Sequence, residues 1–429
     1  MTVTAPKWLK LLAMACAGVF LTWQIVTRTL VAALVASSPD LAQRLSPSDP
    51  LVLTTLAAEA VDAITLSKTA ALAGAKPVLP TVTQRQIRQW AEAAIVAAPL
   101  NPTALRILGQ LDETQPALEH RTALMGAAAR LSRQETPALL WLLMQSYTSG
   151  DVAAATRYAN DLLSTRSIAE YVVPVLARIA ETPAGRAEVK KLLATNPSWR
   201  AAFFSRLPTA VSDARLPLDL LDGLTATPHP ATRADYAPYL RFLIERKLYQ
   251  LAYYAWLQSL DADQLGRAAM LFNGGFEFAP TGVPFDWVVT SGAGATAEFT
   301  DGPDVIGKQA LLVQFTQGRV EFGGVSQMVL LAPGNYKLVG KYRGELSGRR
   351  GLEWQVSCAG SDGEPIGRQQ PFLGAVRAWQ GFEVAFKVPA VNCRAQVVKL
   401  VHTARSSSEQ FIRGTAWFDG LNISVAPDE

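Results

Sequence analysis

The chain has 429 residues, 49% of them apolar and 18% charged, which supplies enough apolar side chain for more than one buried core and predicts two or three domains. Lys and Arg number 40 and Asp and Glu 36, a net charge of +4, and the two signs are interspersed with no basic run or basic–aromatic stripe. That pattern excludes nucleic acid as a partner.

At the N-terminus, Lys7 and Lys10 precede the apolar run LLAMACAGVFLTWQIV, residues 11–26, and TLVAALVA continues it to Ala36 after a single Arg28. A helix of about 20 apolar residues spans a bilayer, and leading cations hold its start in the cytoplasm. Residues 1–38 are therefore expected to be a cytoplasmic tip and a single transmembrane helix in the inner (cytoplasmic) membrane, with the body of the chain in the periplasm. A cleaved signal peptide is the rival reading, since its apolar core needs only about 7 to 15 residues. The length of this run, and the lack of a small-x-small site followed by a polar start, favour a retained anchor. Cys16 reads as a small apolar side chain within that anchor.

Residues 39–270 have a helical texture. Ala and Leu recur at three- and four-residue spacing, and Pro99, Pro102, Pro137, Gly150, Pro183 and Pro197 punctuate the runs, which predicts an array of short antiparallel helices. In AEAAIVAAPLNPTALRILGQL, residues 91–111, a helix rich in small residues ends at Pro99 and the next opens at Asn101-Pro102, with Leu105, Leu108 and Gly109 following. This resembles the junction between tetratricopeptide repeats, and ALLWLLMQSYTSGDVAAATRYANDLL, residues 138–163, resembles a second copy with Gly150-Asp151 at its turn. The resemblance implies a helical-repeat domain whose concave face holds a protein segment. A spacer that lifts the rest of the chain from the membrane is the alternative.

At Asn273 helix formers give way to β-branched, aromatic and Gly residues in runs such as ALLVQF, YKLVGKYRGEL, LEWQVSC, GFEVAFKV and AQVVKLVH. Turn signals at Gly282, Gly302-Pro303, Pro333-Gly334-Asn335, 360–363 and Pro389 separate them, so residues 271–429 are expected to fold as an antiparallel β-sandwich of the jelly-roll type. The fold class is thus multidomain, α then β. Cys358 and Cys393, an even pair in an exported β domain, predict a disulfide; two unpaired buried thiols are the alternative.

Two stretches bracket this region, LFNGGFEFAPTGVPFDW at 271–287 and TAWFDGLNISV at 415–425, with PGNYKLVGKYRG between them at 333–344. Together they resemble carbohydrate-binding modules of the family 4/9 kind, in which the opening and closing strands lie side by side. The resemblance implies a glycan ligand and a structural calcium ion near Glu277 and Asp419. Sugar recognition needs flat aromatic faces with polar neighbours. The candidates are Trp379, Trp354, Tyr342 and Arg343, with Trp287 as a further ring and Gln355, Gln369 and Glu353 as polar neighbours. Alternation within strands also allows Trp287, Trp354 and Trp417 to be core residues; Trp379, ahead of a strand, is the expected exposed platform.

No reaction is expected. His120, His229 and His402 have no metal-ligand neighbours at a useful spacing, and there is no phosphate-binding Gly loop, Gly-x-Ser-x-Gly elbow or Cys-x-x-Cys. The sequence is read as a non-catalytic, membrane-anchored accessory protein of a cell-surface polysaccharide pathway, with no cofactor besides that calcium. Its sandwich would meet glycan and its helices the synthesis or export machinery. The alternative is a structural assembly protein whose sandwich binds another polypeptide.

Overall fold

The computed structural model describes residues 7–72, 82–111, 118–165, 168–302, 304–316, 318–360 and 364–427. The side chains of Lys7 and Lys10 lie outside the described residues, as do Pro303 and the turn expected at 361–363. By contacts the chain forms two compact units, Met1–Leu192 with Pro197–Trp199, and Leu193–Asn196 with Arg200–Glu429. The change of composition at Asn273 falls inside the second unit.

In the first unit the helices are α1 Lys7–Val35, α2 Pro39–Leu45, α3 Pro50–Leu72, α4 Gln84–Ala97, α5 Pro102–Leu111, α6 Leu118–Leu131, α7 Thr136–Ser149, α8 Val152–Thr165, α9 Ala169–Glu181 and α10 Pro183–Leu193. Each of α1 to α8 packs on the next in sequence. Within α1, Met14–Val35 has a mean hydropathy of 1.5 over its most apolar window and is long enough to cross a membrane, a criterion a signal sequence also meets. Its last turns are different: Val31 and Val35 are buried against Ala42, Val52 and Leu56.

Small residues set the spacing of the array. Ala91, Ala94, Ala104 and Ile107 are fully buried, and a Cβ on Gly109 would come within 3.2 Å of Met125, so α5 and α6 approach closely. Asn101 Oδ1 accepts the Ala104 N–H at the start of α5, and Asp151 Oδ1 accepts the Ala154 N–H at the start of α8. Gly150, at φ 78°, ends α7 in the left-handed conformation that glycine adopts without strain.

The second unit begins with α11 Arg200–Ala210, α12 Leu216–Asp222, α13 Arg233–Glu245, α14 Tyr249–Gln258 and α15 Ala262–Gly266. A buried ion pair, Arg200 to Asp235 at 2.7 Å, ties α11 to α13, with Arg200 Nη1 and Nη2 also donating to the carbonyls of His229 and Pro230. These helices join the β region through aromatic contacts: Trp256 meets Phe272 edge-on at 5.2 Å, and Tyr253 meets Phe285 at 5.2 Å.

The strands are β1 Val288–Thr290, β2 Ala295–Thr300, β3 Ala310–Phe315, β4 Gly324–Val329, β5 Gly334–Gly348, β6 Leu352–Cys358, β7 Gly367–Arg368, β8 Gly374–Val388, β9 Gln396–His402 and β10 Ile412–Val425. They form two five-stranded antiparallel sheets, ordered β1-β4-β9-β6-β7 and β2-β3-β10-β5-β8. The α-then-β class and the sandwich are as the residue patterns predict. Alternation supplies the core: Phe382, Val384, Phe386 and Val388 point inward from β8 and meet Leu338, Trp354, Leu400 and Phe418. The expected disulfide is present, joining Cys358 at the end of β6 to Cys393 ahead of β9, with Cα atoms 5.0 Å apart.

The opening motif earns its residues individually. Asn273, at φ 51°, closes a turn by donating to the Phe278 carbonyl and accepting the Phe278 N–H, while its own carbonyl accepts the Trp287 indole N–H. Gly274 then lies against the last strand, its carbonyl accepting the Leu421 N–H at 2.8 Å. A Cβ at Gly274 would stand 1.8 Å from the Leu421 carbonyl oxygen, so only glycine allows this approach. The opening and closing segments of the β region therefore do lie side by side.

Candidate glycan-facing surface and carboxylate pair

Strand alternation gives the β2-β3-β10-β5-β8 sheet an inner face built from Phe315, Leu338, Phe382, Ala416 and Phe418, and an outer face turned away from the core. Arg343 and Trp417 are register partners on adjacent strands of that outer face, β5 and β10. A bulge between Tyr342 and Gly344 in the β5–β8 pairing brings Trp379 in from the other side. The Arg343 guanidinium carbon lies 5.2 Å from the Trp379 ring centroid and 5.8 Å from that of Trp417. The cation thus sits between two indoles and holds their orientation, each contact contributing about 0.5–1 kcal/mol at a half-exposed site. Asp304, 88% exposed, reaches Arg343 at 3.9 Å. Leu312, the other register neighbour of Trp417, is buried although it points outward.

Trp379 and Arg343 are brought together, although Trp379 lies within β8 and is half-buried rather than exposed ahead of a strand; two of their expected companions are not brought to them. Trp354 is fully buried, on the opposite sheet, packed edge-on to Phe418 and against Trp287, so it presents no face to a ligand. Tyr342 precedes Arg343 and therefore points the other way, its ring 4.2 Å from Phe372 at the edge of the core. Glu353 and Gln355 share the Trp354 strand and bond to one another, again away from the platform, and Gln369 bonds through its backbone N–H to the Trp354 carbonyl. Trp287 is core. Trp417, read from alternation as a core residue, is instead half-buried on the outer face. The available signal was its place between Ala416 and Phe418, both core residues, which puts Trp417 on the other side.

Beside the platform runs a loop, residues 301–309. Its Gly302 backbone lies against the Trp417 ring, where a Cβ would come within 2.6 Å. Two carboxylates hold this loop. Asp419 Oδ2 accepts the Ile306 N–H at 2.6 Å and Oδ1 the Gly420 N–H at 2.6 Å; Glu277 Oε1 accepts the N–H groups of Lys308 at 2.8 Å and Gln309 at 3.3 Å. Asp419 has no solvent exposure, and that burial pushes its carboxyl above the usual range, opposed by the two N–H bonds and reinforced by the neighbouring Glu277 charge. Carboxylates that hold one loop offer oxygen donors of the type a hard cation such as calcium takes, with lone pairs left after the amide bonds. Glu277 and Asp419 would hold it. Among the described residues no group of three or more His, Cys, Asp or Glu comes together, so the rest of a six- to eight-oxygen shell would be carbonyls and water.

No family model matches the chain, and no curated protein matches it. Its solved structural neighbours include a family 4 carbohydrate-binding module, 14% identical, covering 36% of this chain and 99% of that one with a TM-score of 0.27. A family 61 module in complex with beta-1,4-galactotriose is 17% identical, covering 37% of this chain and 99% of that one with a TM-score of 0.27. A family 22 xylan-binding domain from Paenibacillus barcinonensis is 16% identical, covering 36% and 94% with a TM-score of 0.25. The sandwich assignment rests on the strand order and register of the chain itself.

Proposed function

We propose that the sandwich binds glycan on the outer face of the β2-β3-β10-β5-β8 sheet, as part of a non-catalytic, membrane-anchored accessory protein of a cell-surface polysaccharide pathway. The observation that carries this is the Trp379–Arg343–Trp417 stack. Indole faces take the C–H face of a pyranose, and a guanidinium fixed between them offers donors to ring hydroxyls or carboxylates without first losing rotamer freedom. A calcium ion between Glu277 and Asp419 belongs to the same reading, since those residues hold the loop beside Trp417. The tetratricopeptide-like helices meet the synthesis or export machinery, α1 anchors the chain in the inner membrane, and the body is periplasmic.

The test is affinity electrophoresis of the full chain in detergent against a panel of surface polysaccharides. At least one should retard it, and Trp379→Ala and Arg343→Ala should each reduce the retardation about tenfold, as loss of a ring or donor worth about 1.4 kcal/mol requires. Absence of retardation across the panel, or retardation unchanged in both variants, refutes the reading.

A further inference from the structure

A concave surface elsewhere in the same unit shares no residue with the Trp379–Arg343–Trp417 stack. Four segments line an open cleft of about 1180 Å³: Asp213–Arg215 ahead of α12, the turn from α13 into α14 at Lys247–Leu251, and two sandwich loops, Leu330–Pro333 and Pro389–Arg394. That exceeds the roughly 300–1,000 Å³ usual for a small-molecule pocket. Its walls are built to hold shape. The side-chain amide of Gln396, fully buried, accepts the Leu331 N–H at 2.9 Å and donates to the Cys393 carbonyl at 2.9 Å, so one residue pins both sandwich loops, and the disulfide to Cys358 pins the second again. On the helical side the Tyr239 hydroxyl donates to the Ala214 carbonyl at 2.6 Å.

The lining has a definite chemistry. Arg215, Lys247 and Arg394 are exposed cations, against one carboxylate, Asp213, whose Oδ1 already accepts the Arg215 N–H. Among the described residues none of the three cations takes part in an ion pair. The apolar part is aliphatic: Val391 is 71% exposed and Leu248 41%, with Leu330, Pro333 and Pro389 beside them. The single aromatic residue of the lining, Tyr249, is buried, so the cleft offers no flat ring to a sugar. At its helical wall the first turn of α14 has no side-chain cap.

We infer that this cleft binds an extended polypeptide segment of a partner protein in which acidic residues alternate with aliphatic ones. The aliphatic wall buries the apolar side chains, and Arg215, Lys247 and Arg394 meet the carboxylates. This goes beyond the glycan reading and does not depend on it, because no residue is shared between the two surfaces.

The probe is a displayed library of short random peptides, selected on the full chain in detergent with depletion on a variant carrying Arg215→Glu, Lys247→Glu and Arg394→Glu. Selected peptides should be rich in Asp and Glu interleaved with Leu, Ile or Val. Their affinity should fall about tenfold or more in a variant with all three cations changed to Gln, which removes the charge while keeping a polar side chain and serves if charge reversal unfolds the protein. Polysaccharide retardation should be untouched in that Gln variant. No enrichment, enrichment without acidic residues, equal affinity for the Gln variant, or displacement of the peptides by uronic-acid oligosaccharides would each overturn the inference.

Discussion

Glu277 and Asp419, one just inside the first segment of the sandwich and the other on its last strand, grip the same loop: Glu277 takes the N–H groups of Lys308 and Gln309, and Asp419 that of Ile306. The loop in turn lays Gly302 on Trp417, so these carboxylates position one side of the Trp–Arg–Trp stack without touching it.

The cation proposed for this pair has a pH signature. The Asp419 carboxyl is raised above its ordinary 3.8, chiefly by burial. A raised acid favours the folded state most below the unfolded value and loses that contribution as pH rises through the folded value. Above that point Asp419 carries a buried charge, which a bound cation would offset. Calcium should therefore raise the unfolding temperature near neutral pH, and the rise should shrink in acid and vanish in Asp419→Asn. Equal melting in calcium and in chelator at neutral pH sinks the metal site.

Gly274 tests the pairing of the opening and closing segments. Gly274→Ala places a methyl on the Leu421 carbonyl oxygen, a backbone atom that cannot rotate away, and breaks the 2.8 Å bond between them. We expect a loss of about 2–4 kcal/mol in denaturant unfolding of the second unit, at the upper end for a single substitution. Gly381→Ala, where a Cβ meets nothing within 4 Å, is the control and should stay within about 0.5 kcal/mol of the parent.

Much of the β architecture is legible in residue patterns, because alternation such as Phe382, Val384, Phe386, Val388 states which side chains share a face, and Asn273-Gly274 states where a turn meets another backbone. Alternation does not say which sheet a strand joins. Trp354 is therefore open in sequence to a core and a ligand-facing role alike, and the fold settles it on β6 in the core, across the sandwich from Trp379 on β8. Nor does composition reveal long-range packing: α11 to α15 read as the end of the helical array, whereas Trp256 packs on Phe272 and Phe285 and the helices belong with the sandwich. The cleft lined by Arg215, Lys247 and Arg394 was invisible for the same reason.

The two tryptophans separate stability from binding. Trp354→Ala removes a fully buried ring from between Trp287 and Phe418 and should cost about 3–5 kcal/mol. Trp379→Ala removes a half-exposed ring and should cost about 1 kcal/mol or less, since a cation–π contact at such a site is worth no more. If urea titration gives both variants the same midpoint shift, Trp379 is a packing residue and the platform falls.

His402 makes the sandwich sensitive to acid. It ends β9 beside Phe315, and burial lowers its pKa from 6.5, opposed by a backbone bond with Arg350 and the Glu409 charge. Its buried Nε2 has no hydrogen-bond partner. A base depressed in the folded state contributes stability that is present above its unfolded value, about 6.5, and is lost as pH falls through its folded value, because the unfolded chain takes the proton first. Unfolding free energy should therefore decline as pH drops from 7 towards 5. His402→Leu, which cannot be protonated, should flatten that slope while leaving stability at pH 7 within about 1 kcal/mol of the parent. A slope identical in the two proteins would show that the proton uptake belongs to other groups.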